Sequence, residues 1–219
     1  EAEPLLHKAL EVRRRALGDE HRQTLISIAN LGLLLGAQGK FGEAEPLYRE
    51  ALEARRRTLG DGHPSTLGSI GNLGVLLKDQ GKLAEAEPLY REALAGRRRM
   101  LGDEHPSTLS SIANLGFLLK SQGKYDEAEP LYREALEAKR RTLGDEHPST
   151  LISINNLGML LKAQGKLAEA EPLLHKALEV RRRALGDEHP HTLNSINNLG
   201  LLLTSQGKYD EAEPLYREA

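Results

Sequence analysis

Glu43-Ala44-Glu45-Pro46-Leu47 decides the fold of this chain, because the same five residues begin again at Glu1, Glu85, Glu127, Glu169 and Glu211. The spacing is 42 residues each time. A fixed period of that size marks stacked repeats, each a small unit that buries its apolar face only against its neighbours. The period also aligns the chain with itself, so that constant and variable positions can be told apart. The sequence opens without Met and stops nine residues into a sixth copy, which is what a fragment of a longer array would show.

Working outward from the motif, His63 to Leu101 spans most of one repeat. Pro64 suits the first turn of a helix, where its missing N–H costs nothing. Leu67, Ile70, Leu73 and Leu77 then recur at helical spacing, with Gly74 on the same face. Gln80-Gly81 ends this helix, Gly supplying a left-handed cap. The expected helix A therefore runs from about Pro64 to Gln80. Helix B follows from about Leu83 to Met100, with Ala86, Leu89, Tyr90, Ala93 and Leu94 inward. Pro88 lies in its early turns, where it removes at most one backbone bond. Glu87 and Arg91 are spaced to pair on the wet face. Links this short force antiparallel hairpins. Across residues 1–219 this predicts a single array. A leading helix B covers 1–17, and helix pairs cover about 22–59, 64–101, 106–143 and 148–185. A last helix A covers 190–206 and a truncated helix B covers 209–219.

Composition narrows the chemistry. Aromatics make up only 4% of the chain, so the core must be built from Leu, Ile and Ala. The net charge of −2, with both signs interspersed, gives no global pull toward nucleic acid or an anionic membrane. Cysteine is absent, which excludes disulfides and thiolate metal sites and fits a reducing, cytoplasmic setting. No apolar run approaches the length of a membrane span.

Ile70, Leu73, Gly74, Leu77, Ala86 and Tyr90, and again Ile112, Leu115, Gly116, Leu119, Ala128 and Tyr132, fall at the spacings of the tetratricopeptide repeat. The chain resembles that family over its whole length. Ile and Leu replace its two helix A aromatics, and Arg56, Arg98 and Arg140 replace its closing Pro, so helix B should run on. The 42-residue period, Leu-Gly-Asp-Glu-His-Pro and Gly-Lys-Tyr-Asp-Glu-Ala-Glu-Pro-Leu are similar to the kinesin light chain subclass. The resemblance implies an all-α, right-handed superhelical solenoid of antiparallel helix pairs. Gly32, Gly74, Gly116, Gly158 and Gly200 would let helix A and its partner approach closely.

Helix B varies at Val12, Ala54, Gly96, Ala138 and Val180 and at Ala16, Thr58, Met100, Thr142 and Ala184. Most changes within helix A fall at five positions per repeat. In successive copies they are Ile26, Gly68, Ser110, Ile152 and Asn194; Ala29, Gly71, Ala113, Asn155 and Asn197; Leu33, Val75, Phe117, Met159 and Leu201; Gly36, Lys78, Lys120, Lys162 and Thr204; and Ala37, Asp79, Ser121, Ala163 and Ser205. Their spacing makes one stripe, about 100° from the constant Leu/Ile face. Drift alone would scatter changes over every exposed position. Yet Gln-Gly-Lys, Leu-Gly-Asp and Arg-Arg stay fixed. The resemblance implies that the stripe lines a concave groove.

Beside it runs a constant row, Asn30, Asn72, Asn114, Asn156 and Asn198. Asn is a poor residue in mid-helix. Its carboxamide can donate to and accept from an extended peptide backbone, as a similar ladder does in some tetratricopeptide superhelices. It can equally bond a neighbouring helix and order the stack. The apolar line and the lysines Lys78, Lys120 and Lys162 would suit an extended segment with apolar anchors and acidic flanks.

Other signals point to structure. Asp-Glu-His sets such as Asp103 to His105 lie one per loop, so they cannot converge on a metal or a reaction centre and suit loop and cap roles. Arg triplets such as Arg55 to Arg57 sit near Glu residues without interleaved aromatics. They read as a solvated face with Glu11–Arg15 and Glu53–Arg57 pairs rather than as a nucleic-acid patch. No catalytic residues, metal site or cofactor are expected. The expected function is recognition of a protein or extended peptide, without nucleic acid or membrane. Two alternatives are the ligand-sensing array of a larger signalling NTPase receptor, suggested by the identity of residues 1–21 and 169–189, and a structural or designed spacer. Uncapped terminal helices also predict end-to-end self-association.

Overall fold

A computed structural model describes residues 2–218; Glu1 and Ala219, the outer ends of the expected 1–17 and 209–219 helices, lie outside the described residues. Among the described residues the chain forms eleven α-helices in sequence order. These are α1 (Ala2–Leu17), α2 (Arg22–Ala37), α3 (Phe41–Leu59), α4 (Pro64–Asp79), α5 (Leu83–Leu101), α6 (Pro106–Ser121), α7 (Tyr125–Leu143), α8 (Pro148–Ala163), α9 (Leu167–Leu185), α10 (Pro190–Ser205) and α11 (Tyr209–Glu218). Even-numbered helices are the A helices. Arg at the old Pro positions does let helix B run to 19 residues in α3, α5, α7 and α9.

Two compact units result, residues 1–118 and 119–219, with the boundary inside α6. In the first, α1 packs on α2, α2 on α3, α3 on α4 and α4 on α5. In the second, α7, α8, α9, α10 and α11 pack in the same consecutive way, and α8 also touches α10.

Local chemistry sets the helix ends. The repeated His is the N-cap of helix A: His63 Nδ1 accepts from the Ser65 backbone N–H at 3.1 Å, and His21, His147 and His189 cap α2, α8 and α10 likewise. Pro64 follows at the first helical position. Gln80 is the C-cap, and Gly81 beyond it takes φ +77°, a conformation that only glycine adopts freely.

Within each unit the constant apolar face is buried. Ile28, Leu31, Leu35, Ile70, Leu73 and Leu77 do this in the first unit, and Ile154, Leu157 and Leu161 in the second. Each such side chain contributes roughly 1.5–3 kcal/mol of burial. The helix A glycines make room for a side chain of the following helix B rather than for its backbone. A Cβ on Gly74 would lie 3.2 Å from the Tyr90 ring, and one on Gly158 would lie 2.7 Å from Leu174. Burial pushes the Tyr90 hydroxyl up to about 12, with help from Asp79. At the chain ends, Val12 and Tyr216 are exposed, whereas their copies Ala54, Val180, Tyr48 and Tyr90 are buried.

The exposed motifs that never vary are held by partners in adjacent repeats. Lys82 of the Gln-Gly-Lys loop lies 2.8 Å from Glu45, and Gln80 donates to the same carboxylate at 3.2 Å. Lys166 and Gln164 clasp Glu129 in the same way, at 2.6 and 3.0 Å. Glu45 and Glu129 are drawn down to about 2, chiefly by Lys82 and Lys166 respectively.

The Arg triplet divides three ways. Its first member turns inward: Arg55 donates to Ser69 Oγ, and Arg181, buried, donates to Ser195 Oγ at 2.6 Å and to the His191 carbonyl at 3.1 Å. The second bridges to the next helix B, as Arg56 does to Glu92 at 2.6 Å, and holds the loop through Asp61 at 3.1 Å. The third reaches back, Arg57 to Glu20 at 2.5 Å and Arg183 to Glu146 at 2.5 Å. This corrects two expectations. The triplet is not simply a wet face, and Arg57 pairs with Glu20 rather than Glu53, although Arg15 does pair with Glu11.

Candidate peptide-recognition face

The variable stripe is carried by the A helices, and its constant neighbours explain its exposure. Ile28 and Leu31 point into the core of α2, so Asn30 and Leu33, rotated away from them, face outward. In the first unit Asn30, Asn72 and Asn114 are all exposed, as are Leu33, Val75 and Phe117. Leu33 keeps 65% of its surface and Phe117 52%, an unusual degree for large apolar residues on one face. Of the remaining stripe positions there, Ile26 is a further exposed apolar residue, whereas Gly68, Gly71, Ala29 and Ala113 are small and Ser110 donates back to the Pro106 carbonyl at 2.9 Å. The Lys78 ammonium sits 5.4 Å from the Phe117 ring centroid and pairs with Asp79 at 2.8 Å. That is a cation–π geometry, which fixes the ring and lends the apolar line a positive edge.

The second unit carries the same positions with more polar residues. Asn156 and Asn198 are half-buried, Asn194 and Asn197 are exposed, and Ile152, Met159 and Leu201 supply apolar surface. Asn198 Nδ2 lies 3.0 Å from Asn155 Oδ1 and 2.9 Å from Asn194 Oδ1. Asn155, expected among the ligand-facing residues, is instead buried and accepts this bond across the helix pair α8–α10. Lys120 is half-buried, and its ammonium is pushed below the usual lysine range by burial first and by Lys162 second. Two cations that repel one another in this way favour an anion placed near both.

The Asn row therefore divides. Asn198 orders the stack. Asn30, Asn72, Asn114 and Asn156 form no hydrogen bond among the described residues, and the first three are exposed. The inward cations Arg13, Arg55, Arg97, Lys139 and Arg181 carry no local sequence mark of their burial. The one available signal was their constant separation of 14 residues from a constant basic-partner Ser, as in Arg97 and Ser111.

Among the described residues no three or more His, Asp or Glu side chains are placed to hold a metal ion. No helix there is long and apolar enough to cross a membrane.

Helix hairpins repeated at a fixed period, with a buried Leu/Ile face, define an α-helical repeat protein. The tetratricopeptide repeat family model matches residues 1–57, 28–99, 65–141, 106–174 and 152–219, and the chain belongs to that family. Its similarities among solved structures are of the kinesin light chain-like type. A P. anserina protein assigned as a kinesin light chain with nearly identical TPR-like repeats is 30% identical, with a TM-score of 0.82, over 91% of this chain and 94% of that one. BtubC (BKLC) from P. vanneervenii is 26% identical, with a TM-score of 0.82, over 98% of this chain and 87% of that one. The apo form of RapI, 14% identical over 98% of this chain and 57% of that one, shares the fold at a TM-score of 0.79. No curated protein matches the chain. Tetratricopeptide repeats are in general protein-interaction scaffolds without catalysis of their own.

Proposed function

We propose that the chain recognises extended segments of partner proteins along the outward face of its A helices, as a non-catalytic scaffold of the cytoplasm. The observation that carries this reading is the Asn row. Asn30, Asn72, Asn114 and Asn156 are constant, sit where Asn is unfavourable, and have no partner of their own among the described residues. Carboxamides offered in this way match the alternating donors and acceptors of a peptide main chain. Leu33, Val75 and Phe117 would seat apolar side chains, with Met159 and Leu201 doing so in the second unit. Lys78, Lys120 and Lys162 would favour acidic flanks. The Arg triplets do not enter, since Arg55, Arg56 and Arg57 and their counterparts Arg181, Arg182 and Arg183 are engaged within the protein, and neither nucleic acid nor a membrane is called for.

The test is a screen of peptides that combine apolar and acidic residues, against the native chain and against the Lys78→Glu/Lys120→Glu/Lys162→Glu variant. Binding that falls at least tenfold in the variant supports the acidic flanks; unchanged binding removes them. Failure to select any peptide, with the Asn row needed only for stability, would return the chain to a structural spacer.

A further inference from the structure

A second candidate site lies in the first unit, where the chain departs from its own repeat. The A helices α4, α6, α8 and α10 begin with Pro, but α2 begins with Arg22, followed by Gln23 where α4, α6 and α8 carry Ser. Pro is favoured at that position, whereas a cation there is opposed by the positive end of the helix dipole. Arg22 is exposed, and its side chain forms no ion pair or hydrogen bond among the described residues. In the following repeat Pro64 stands for Arg22, Gly68 for Ile26 and Met100 for Thr58.

Arg22 lines a cavity of about 530 Å³, within the roughly 300–1,000 Å³ of ligand pockets. Leu25, Ile26 and Leu59 supply apolar wall, and Arg55 is a second cation in the lining. Arg55 is half-buried and donates to Ser69 Oγ, to the Ser65 carbonyl at 3.5 Å and to the Leu25 carbonyl at 3.4 Å. All three acceptors are neutral, and these bonds leave N–H groups of the guanidinium to spare. Among the described residues no carboxylate pairs with Arg55, and burial pushes its guanidinium below the usual arginine range. An arginine stays charged, so half-burying one without a counter-charge is costly. Glu20, the acid in the lining, is taken by Arg57 at 2.9 and 2.5 Å. His63 Nδ1 accepts from the Ser65 backbone N–H, which leaves the proton of the neutral ring on Nε2, and Ser65 adds a hydroxyl to the same lining.

We infer that this cavity binds a phosphomonoester carried on an apolar group. Arg22 and Arg55 meet the dianion, since guanidinium–phosphate pairs are strong, charge-assisted bonds. His63 and Ser65 add neutral donors, and Leu25, Ile26 and Leu59 take the apolar group. A small aryl phosphate and a phosphorylated tyrosine of a partner share this chemistry. The site has Ile26 in common with the variable stripe and no residue in common with the Asn row, so either reading can fail alone.

Methyl NMR of the 219-residue chain, titrated with phenyl phosphate, with N-acetyl-phosphotyrosine amide and with phenol, tests the inference. Saturable shifts at Leu25, Ile26 and Leu59 are expected with one or both phosphates and not with phenol. The phosphate that saturates at the lower concentration identifies the source. Arg22→Pro/Gln23→Ser restores the residues of the next copy, so it should fold with an unchanged or raised Tm while its affinity falls at least tenfold. Thr58→Met brings in the bulkier residue of the next repeat and should weaken binding by a similar factor. Absence of saturation with both phosphates, an equal response to phenol, or native affinity in either variant would overturn the inference.

Discussion

Two sets of polar residues stay constant along this chain, and they differ in what they touch. On the helix B side and in the loops, constant residues find partners outside their own helix: Lys82 and Gln80 on Glu45, Arg56 on Glu92 and Asp61, Arg57 on Glu20. On the helix A side Asn30, Asn72 and Asn114 are just as constant and form no hydrogen bond among the described residues. Constancy in the first set is a stacking requirement, because a solenoid is stabilised mainly by nearest-neighbour interfaces. No hydrogen bond among the described residues gives Asn30, Asn72 and Asn114 such a cause. The loops are thus fixed by stacking, whatever the cause of variation in the stripe.

Mutations that separate the two sets can break this contrast. The largest effect is expected at Arg181, which is buried and bonded to Ser195 and the His191 carbonyl. Arg181→Ala leaves both acceptors without their donor and opens a void, and calorimetry should show a loss of about 2–4 kcal/mol. Glu45→Gln releases Lys82 and weakens the contacts of Arg49 and Gln80. A partly exposed cluster of this kind should cost about 1 kcal/mol in urea melts and less in high salt.

Acid should remove the same contribution in the native chain. Glu45 and Glu129 are held at about 2, below their ordinary 4.5, so their stabilisation is complete above the ordinary value and is lost as pH falls from 4.5 toward 2. Glu45→Gln should flatten that part of the stability-against-pH curve; an unaltered curve would mean that Glu45 is not clamped in solution. The smallest effect, and of opposite sign, is expected at the Asn row. Asn114→Ala relieves an unfavourable helix residue and should raise stability by up to about 0.7 kcal/mol.

Much of the fold could be read from the sequence because its causes are local. Pro64, Gln80-Gly81 and the Leu67–Leu77 face act within one helix, and the 42-residue period repeats them. What escaped the reading joins residues far apart in the chain. Arg57 had Glu53 at ideal helical spacing, yet it turns to Glu20, 37 residues earlier, because stacking brings that loop alongside. Asn155 has the same residue type as its exposed copy Asn197, yet it is buried and accepts from Asn198, 43 residues later. The stripe itself was legible as a pattern of variation. Which of its residues remain unengaged depended on contacts between repeats.

The most direct test measures two quantities on one variant, Asn30→Ala/Asn72→Ala/Asn114→Ala: affinity for a peptide selected on the native chain, and Tm. Affinity should fall at least tenfold while Tm stays level or rises. A Tm lowered by several degrees, with affinity unchanged in the folded fraction, would contradict the account and make the Asn row part of the stack.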